Sequence, residues 1–264
     1  MNQLTYSRVM DQVSNLPGHS LRDLKKAQLM NRIDTKFIMP ASLLPNVFEA
    51  MDDQYSVLEI NGTRCFHYET TYFDTDDHRF YHMHRTGRLN RFKVRVRRYV
   101  DSDVQFLEVK LKNNKKRTIK ERVPLPDHNV KALSDNIDFL QSVKVPAAEQ
   151  LRPCLHNSYQ RIALASETRG ERLTFDIKLA NRVADAEGEK LPLDNIVIVE
   201  LKQSRLDRSS PFFALARILG IRPSTFSKYC MGMTLALCNT REWKYNRFKP
   251  ILRRIAHDQQ LRTV

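Results

Sequence analysis

The sequence predicts an α+β protein whose mainly antiparallel sheet curls into a tunnel of about eight strands, with a basic lumen and helices packed outside. Three observations lead there. Strand-like segments dominate the middle of the chain with no regular strand–helix alternation. At least five of them carry cations on one face and apolar residues on the other. The net charge is +14, from 44 Lys and Arg against 30 Asp and Glu.

The other totals narrow the class. With 264 residues, 41% hydrophobic and 28% charged, the chain can bury a core and is expected to fold as one unit over 1–264. Within it, 1–30 reads as a helical N-terminal segment and 239–264 as a basic tail. Cys65, Cys154, Cys230 and Cys238 form no CxxC pair, which argues against structural zinc and a disulfide framework. No apolar signal core opens the chain and no run approaches membrane-spanning length, so a cytoplasmic protein is expected. A surplus of positive charge attracts phosphate, nucleic acid or acidic lipid, and charge alone does not choose among them.

The elements follow in order. Residues 1–30 read as two short helices broken at Leu16-Pro17-Gly18, the second marked by Ser20 and Asp23 at capping-box spacing. A strand covers 32–38. Residues 41–51 read as a surface helix with Leu43, Leu44, Val47 and Phe48 inward. Strands follow over 55–60, 64–74, 91–99, 104–112, 116–123, 155–165, 171–178 and 196–203, with helices at 129–143, 209–219 and 230–238.

Side chains on a strand alternate faces. Arg91, Lys93, Arg95 and Arg97 therefore share one face, opposite Phe92, Val94 and Val96. Glu108, Lys110 and Lys112 oppose Leu107, Val109 and Leu111, and Lys116, Thr118, Lys120 and Arg122 fall together on the next strand. Tyr159 pairs with Arg161. Arg172, Thr174, Asp176 and Lys178 oppose Leu173, Phe175 and Ile177, while Glu200 and Lys202 oppose Val197, Val199 and Leu201. A solvated sheet face would account for any one such strand. Repeated like charges about 6.6 Å apart instead repel one another unless an anion lies between them. Closing the sheet turns the charged faces inward and removes exposed edges. The lumen then suits a chain of phosphates, and the isolated carboxylates suit Mg²⁺ or Mn²⁺.

A series of short motifs resembles the VTC domain of the triphosphate tunnel metalloenzymes. They are Arg32-Ile-Asp-Thr-Lys36-Phe, Tyr72-Phe-Asp-Thr75, Lys93-Val-Arg95-Val-Arg97-Arg-Tyr99 and Phe106-Leu-Glu108-Val-Lys110-Leu-Lys112. Tyr159-Gln-Arg161, Arg172-Leu-Thr-Phe-Asp176, Val199-Glu200-Leu-Lys202 and Phe226-Ser-Lys228-Tyr229 continue in the same order, over roughly 30–238. The resemblance implies a tunnel that binds triphosphate with a divalent metal, and for VTC domains transfer of the γ-phosphate of ATP onto growing polyphosphate. It implies phosphate contacts from Lys36, Arg95, Arg97, Lys110, Tyr159, Arg161, Ser227 and Lys228. Arg32, Lys93, Lys112, Lys120, Arg122, Lys178 and Lys202 extend the basic lining. Glu200 is the leading metal ligand, with Asp176 and Glu108 as further candidates for metal or nucleophile positioning. Many tunnel enzymes open with Glu-x-Glu-x-Lys. Here Arg32-x-Asp34-x-Lys36 omits the first carboxylate, which disfavours a two-metal hydrolytic arrangement.

Three functions compete at this stage. The first is a polyphosphate polymerase-like phosphotransferase. The second is a metal-dependent tripolyphosphatase or nucleoside triphosphatase. The third is a non-enzymatic binder of polyphosphate or nucleic acid. Nucleic acid is disfavoured because the cations alternate with buried-type residues and exposed aromatic platforms are not evident. His78, His82 and His84 cluster without a further ligand at familiar spacing, and read as surface or packing residues before metal ligands. The tail beyond Trp243 mixes aromatics with Lys and Arg. It reads as a helix packed on the barrel, or as a surface for an anionic membrane or a membrane-protein partner.

Overall fold

Alternation along the strands builds one large sheet. In the computed structural model, which describes residues 1–23, 32–51, 54–115, 117–126, 130–184, 190–237, 248, 250 and 251, the sheet has 11 strands. They are β1 (Gly18–His19), β2 (Ile33–Pro40), β3 (Ser56–Leu58), β4 (Cys65–Asp74), β5 (Arg91–Tyr99), β6 (Val104–Lys112), β7 (Thr118–Leu125), β8 (Arg152–Ser166), β9 (Glu171–Val183), β10 (Lys190–Leu193) and β11 (Ile196–Gln203). The main path runs β2-β11-β9-β8-β4-β5-β6-β7, antiparallel at every step. The short β1 pairs in parallel with β3.

The helices are α1 (Gln3–Asn15), α2 (Leu44–Glu49), α3 (Arg79–Arg85), α4 (Ile137–Ser142), α5 (Pro211–Ile218) and α6 (Lys228–Ala236). Asn2 starts α1 by accepting from the Thr5 amide at 2.9 Å, and Pro211 starts α5 where a missing N–H costs nothing. Val9 and Val13 of α1, Phe48 of α2 and Phe212 of α5 pack on Phe37, Phe175 and Val199, the outer face of one half of the sheet. Phe80 of α3 and Leu140 of α4 cover Phe92, Val94, Leu107 and Val109, the outer face of the other half.

The structure departs from the sequence expectation in four places. First, α6 packs inside the curl. Tyr229, Cys230, Met231 and Met233 meet Ile38, Leu155, Leu179 and Ile198, which share the face of Lys36 and Glu200. A helix buried all round needs cover on every side, and Gly232 permits it: a Cβ there would stand 2.4 Å from Leu155 Cδ2. Second, the sheet curls without closing by hydrogen bonds, because among the described residues no ladder joins β7 to β2.

Third, α3 was not expected. Its first amides are satisfied by Asp74, six and seven residues upstream of Phe80 and Tyr81, outside the usual capping window. Fourth, β9 runs on past 178. A bulge opposite Ser158 and Gln160 carries Lys178 in a left-handed conformation at φ 49°, and pairing resumes beyond it. The second N-terminal helix, Lys116, Cys238 and most of the tail lie outside the described residues. Phe248 is buried against the α6 cluster.

A cation-lined tunnel anchored by buried carboxylates

Register sets the site. Lys36 on β2 stands opposite Glu200 on β11, which stands opposite Thr174 on β9. Arg161 on β8 faces Asp176 on β9, and Arg95 on β5 faces Glu108 on β6. The curl then brings distant strands together. Lys93 Nζ on β5 donates to Ser227 Oγ, the cap of α6, at 2.9 Å. Lys110 on β6 lies close enough to Glu200 on β11 to feel its charge.

Each carboxylate is held by a pair of cations. Glu200 accepts from Lys36 Nζ through one oxygen and from Lys202 Nζ at 2.9 Å through the other. Asp176 takes a bidentate bond from Arg161, at 2.6 and 2.9 Å, and a further one from Lys228. Glu108 is fully buried and meets Arg95 Nη2 and Lys120 Nζ, both at 2.5 Å. Burial pushes all these carboxyls up, but the adjacent cations outweigh it. Glu108 is lowered to about 2 by Arg95, Arg97 and Lys120. Asp176 and Glu200 are also held well below the ordinary range.

Basic side chains outnumber the carboxylates among the described residues of the site. Lys110 makes no salt bridge among the described residues, and burial together with Arg95 and Arg97 lowers it to about 6. Lys93 is likewise lowered by burial, with Arg95 and Lys36 adding to the effect. Arg97 Nε and the Tyr159 hydroxyl are buried without a hydrogen-bond partner among the described residues. Burial alone would raise the Tyr159 phenol. Arg97, Arg161 and Lys228 overcome that and lower it, so this oxygen sits in a positive field.

The expected site residues do not all converge. Lys36, Lys93, Arg95, Arg97, Lys110, Lys120, Tyr159, Arg161, Lys202, Ser227 and Lys228 belong to the network just described. Arg32 binds Asp34 at 3.0 Å, and Lys112 stands at the end of β6 opposite Arg91. Arg122 lies over the Phe106 ring, 4.4 Å from its centroid. Lys178 corrects the alternation rule: the bulge turns it to the outer face, where its Nζ sits 3.2 Å from the ring centroid of Tyr6 on α1. His84 Nε2 donates to the Phe92 carbonyl oxygen at 3.0 Å, a packing contact between α3 and β5.

An aromatic row was missed. Tyr159, Tyr68, Tyr99 and Phe106 cross four adjacent strands on the inner face. Tyr68 stacks parallel on Tyr159 with centroids 5.1 Å apart, and Tyr99 lies 5.0 Å away on its other side. Arg161 and Arg97 sit over Tyr68 at 5.2 and 5.8 Å. The signal was present, since Tyr99 and Phe106 are in phase with the cations of their own strands. Tyr159 is buried and Tyr68, Tyr99 and Phe106 are half-buried, so the row lies within the curl and the expectation that exposed aromatic platforms are lacking is not contradicted.

A resident metal cage is not built among the described residues, where no three His, Cys, Asp or Glu side chains group as ligands. A cation shared with phosphate is a different case, because Mg²⁺ commonly takes one or two carboxylates and completes its shell with phosphate oxygens and water. Glu200 fits that role: its side chain is 19% exposed, against 4% for Asp176 and 0% for Glu108. The latter two serve here as counter-ions that fix Arg161, Lys228, Arg95 and Lys120.

Comparison with known proteins agrees with this architecture. The VTC domain family matches over residues 31–237. This chain belongs to the VTC domain family. The VTC fold of this chain is also similar to that of a "putative adenylate cyclase" from Bacillus halodurans, at 13% identity and TM-score 0.50, covering 75% of this chain and 96% of that one. A "putative adenylyl cyclase" from Hippeastrum, described as having a dominant triphosphatase activity, aligns at 12% identity and TM-score 0.48 over 77% and 96% of the two chains. A search of curated proteins finds no match. Among the described residues no helix of this VTC domain is long and apolar enough to cross a membrane.

Proposed function

We propose that this VTC domain is a phosphotransferase that moves the γ-phosphate of ATP onto the end of a polyphosphate chain within the tunnel. The observation that carries the reading is a surplus of cationic groups over carboxylates among the described residues: Lys93, Lys110 and Arg97 crowd together beyond the cations already matched by Glu108, Asp176 and Glu200, and burial with the neighbouring cations lowers both lysines until an anion offsets it. A polyanion is the ligand such a cluster accepts most favourably.

The chemistry asks little covalent help from the protein. A terminal oxygen of the acceptor chain attacks the γ-phosphorus, the bond to the β–γ bridging oxygen breaks, and ADP leaves with that electron pair. The attacking oxygen is already anionic, so no general base is required. Arg161 and Lys228, fixed by Asp176, and Arg97 and Lys110, with no salt bridge among the described residues, would stabilise negative charge around the transferred group. A divalent metal at Glu200 would neutralise charge on the phosphate oxygens. Transfer is direct, without a phosphoenzyme.

The test is incubation of purified protein with ATP and Mn²⁺, with products resolved on a gel stained for polyphosphate. Long chains that vanish in Lys228→Ala and Glu200→Ala support the reading. Orthophosphate alone makes the protein a hydrolase, and binding without turnover in any metal makes it a binder. A cytoplasmic site of action and docking to a membrane-protein partner belong to the same proposal; the partner rests on the family resemblance.

A further inference from the structure

We propose that Phe106 and Arg122 form a stacking subsite for a planar ring, the base of the nucleoside triphosphate whose phosphates occupy the cation cluster. The inference rests on the reading above and adds the part of the substrate that the cations cannot recognise. Phe106 is the register partner of Arg97, so it lies one residue pair from the phosphate-facing arginines. It is half-buried, with Tyr99 edge-on at 5.9 Å and Arg122 over its face at 4.4 Å. Arg122 is exposed and stands on the edge strand β7. Its guanidinium therefore can swing off the ring and close again over an inserted base.

Other parts of the aromatic row are already engaged. Tyr68 lies between Tyr159 and Tyr99 and carries Arg97 and Arg161. Phe106 ends the row, next to the edge strand, where a ring–guanidinium pair remains for an incoming π-face. Stacking of this kind is tolerant of base identity, because every base offers a π-face. The subsite thus favours nucleoside triphosphates over tripolyphosphate without selecting adenine.

Calorimetric titration with ATP, GTP and inorganic tripolyphosphate tests this directly. Phe106→Leu should weaken ATP and GTP about 10-fold and leave tripolyphosphate within about twofold, while Phe106→Tyr keeps the wild-type values. Arg122→Ala, a change at an exposed side chain, should weaken ATP by a larger factor than tripolyphosphate. Equal losses on all ligands in both variants, or no loss on any, overturn the subsite. Base-dependent binding in a protein that makes no polyphosphate would leave the subsite standing and remove the polymerase reading.

Discussion

The Tyr229 hydroxyl of α6 donates to Oδ2 of Asp74, a fully buried carboxylate at the end of β4. The same carboxylate accepts from the amides of Thr75, Phe80 and Tyr81, at 2.9, 2.8 and 2.9 Å. One side chain thereby starts α3 and ties it to the helix whose first residues, Ser227 and Lys228, reach the tunnel. Asp74→Ala strands three amides and a phenol in the core and should cost about 3 kcal/mol or more, read as a lowered urea midpoint. Tyr229→Phe removes one bond to a carboxylate and should cost about 1–3 kcal/mol. Because α6 would shift, phosphate affinity should fall in both.

Asp176 is the counter-ion of Arg161 and Lys228, and nearly all of it is buried. Asp176→Asn leaves two buried cations facing Arg97 without compensation, so the apo protein should lose about 3–5 kcal/mol. Tripolyphosphate should restore much of that loss, because it supplies the missing negative charge to the folded state alone. Thermal melts of the variant with and without tripolyphosphate check the point. An equal shift in wild type and variant would refute it.

The sheet and most of its inner face could be read from residue alternation, since a period of 2 fixes a face wherever the strand is regular. Lys178 was misplaced for that same reason: a bulge adds a residue, and composition around Ser158 and Gln160 does not announce it. The position of α6 was hidden because Tyr229 to Thr234 are apolar or small on every side, which says buried but not where. Ion pairing was half legible. Glu108 and Glu200 were read as metal donors, and only the folded register shows Arg95 and Lys120 on one, Lys36 and Lys202 on the other.

Tyr68 supports two arginines of the proposed phosphate site. Its ring carries Arg161 and Arg97 and is itself clamped between Tyr159 and Tyr99. Tyr68→Phe keeps the face of the ring and should leave turnover nearly unchanged. Tyr68→Leu removes the cation–π support, worth about 0.5–2 kcal/mol per contact, and frees both guanidiniums. The expected result is a fall in kcat of about 10-fold with a smaller change in KM for ATP, because orientation matters most when charge moves in the transition state. A loss confined to stability, rescued on cooling, would reduce Tyr68 to a packing residue.

Lys110 gives the site a pH dependence whose sign follows from its environment. In the apo protein burial, Arg95 and Arg97 lower it to about 6, so it is mostly neutral at pH 8. The unfolded chain holds that proton up to the usual lysine range near 10.4, and therefore binds more protons than the folded state between the two values. On its own this group makes stability rise with pH across that window, and its full penalty applies below about pH 6. A bound polyphosphate reverses the preference, since a phosphate oxygen beside the amine favours the ammonium. Binding at pH 8 should take up close to one proton through Lys110, and affinity should fall as pH rises above 6. Titrations in buffers of different ionisation enthalpy measure that uptake, and Lys110→Met should abolish it. An unchanged proton count in the variant would assign the uptake to another group, with Lys93 the next candidate by its own burial and neighbouring cations.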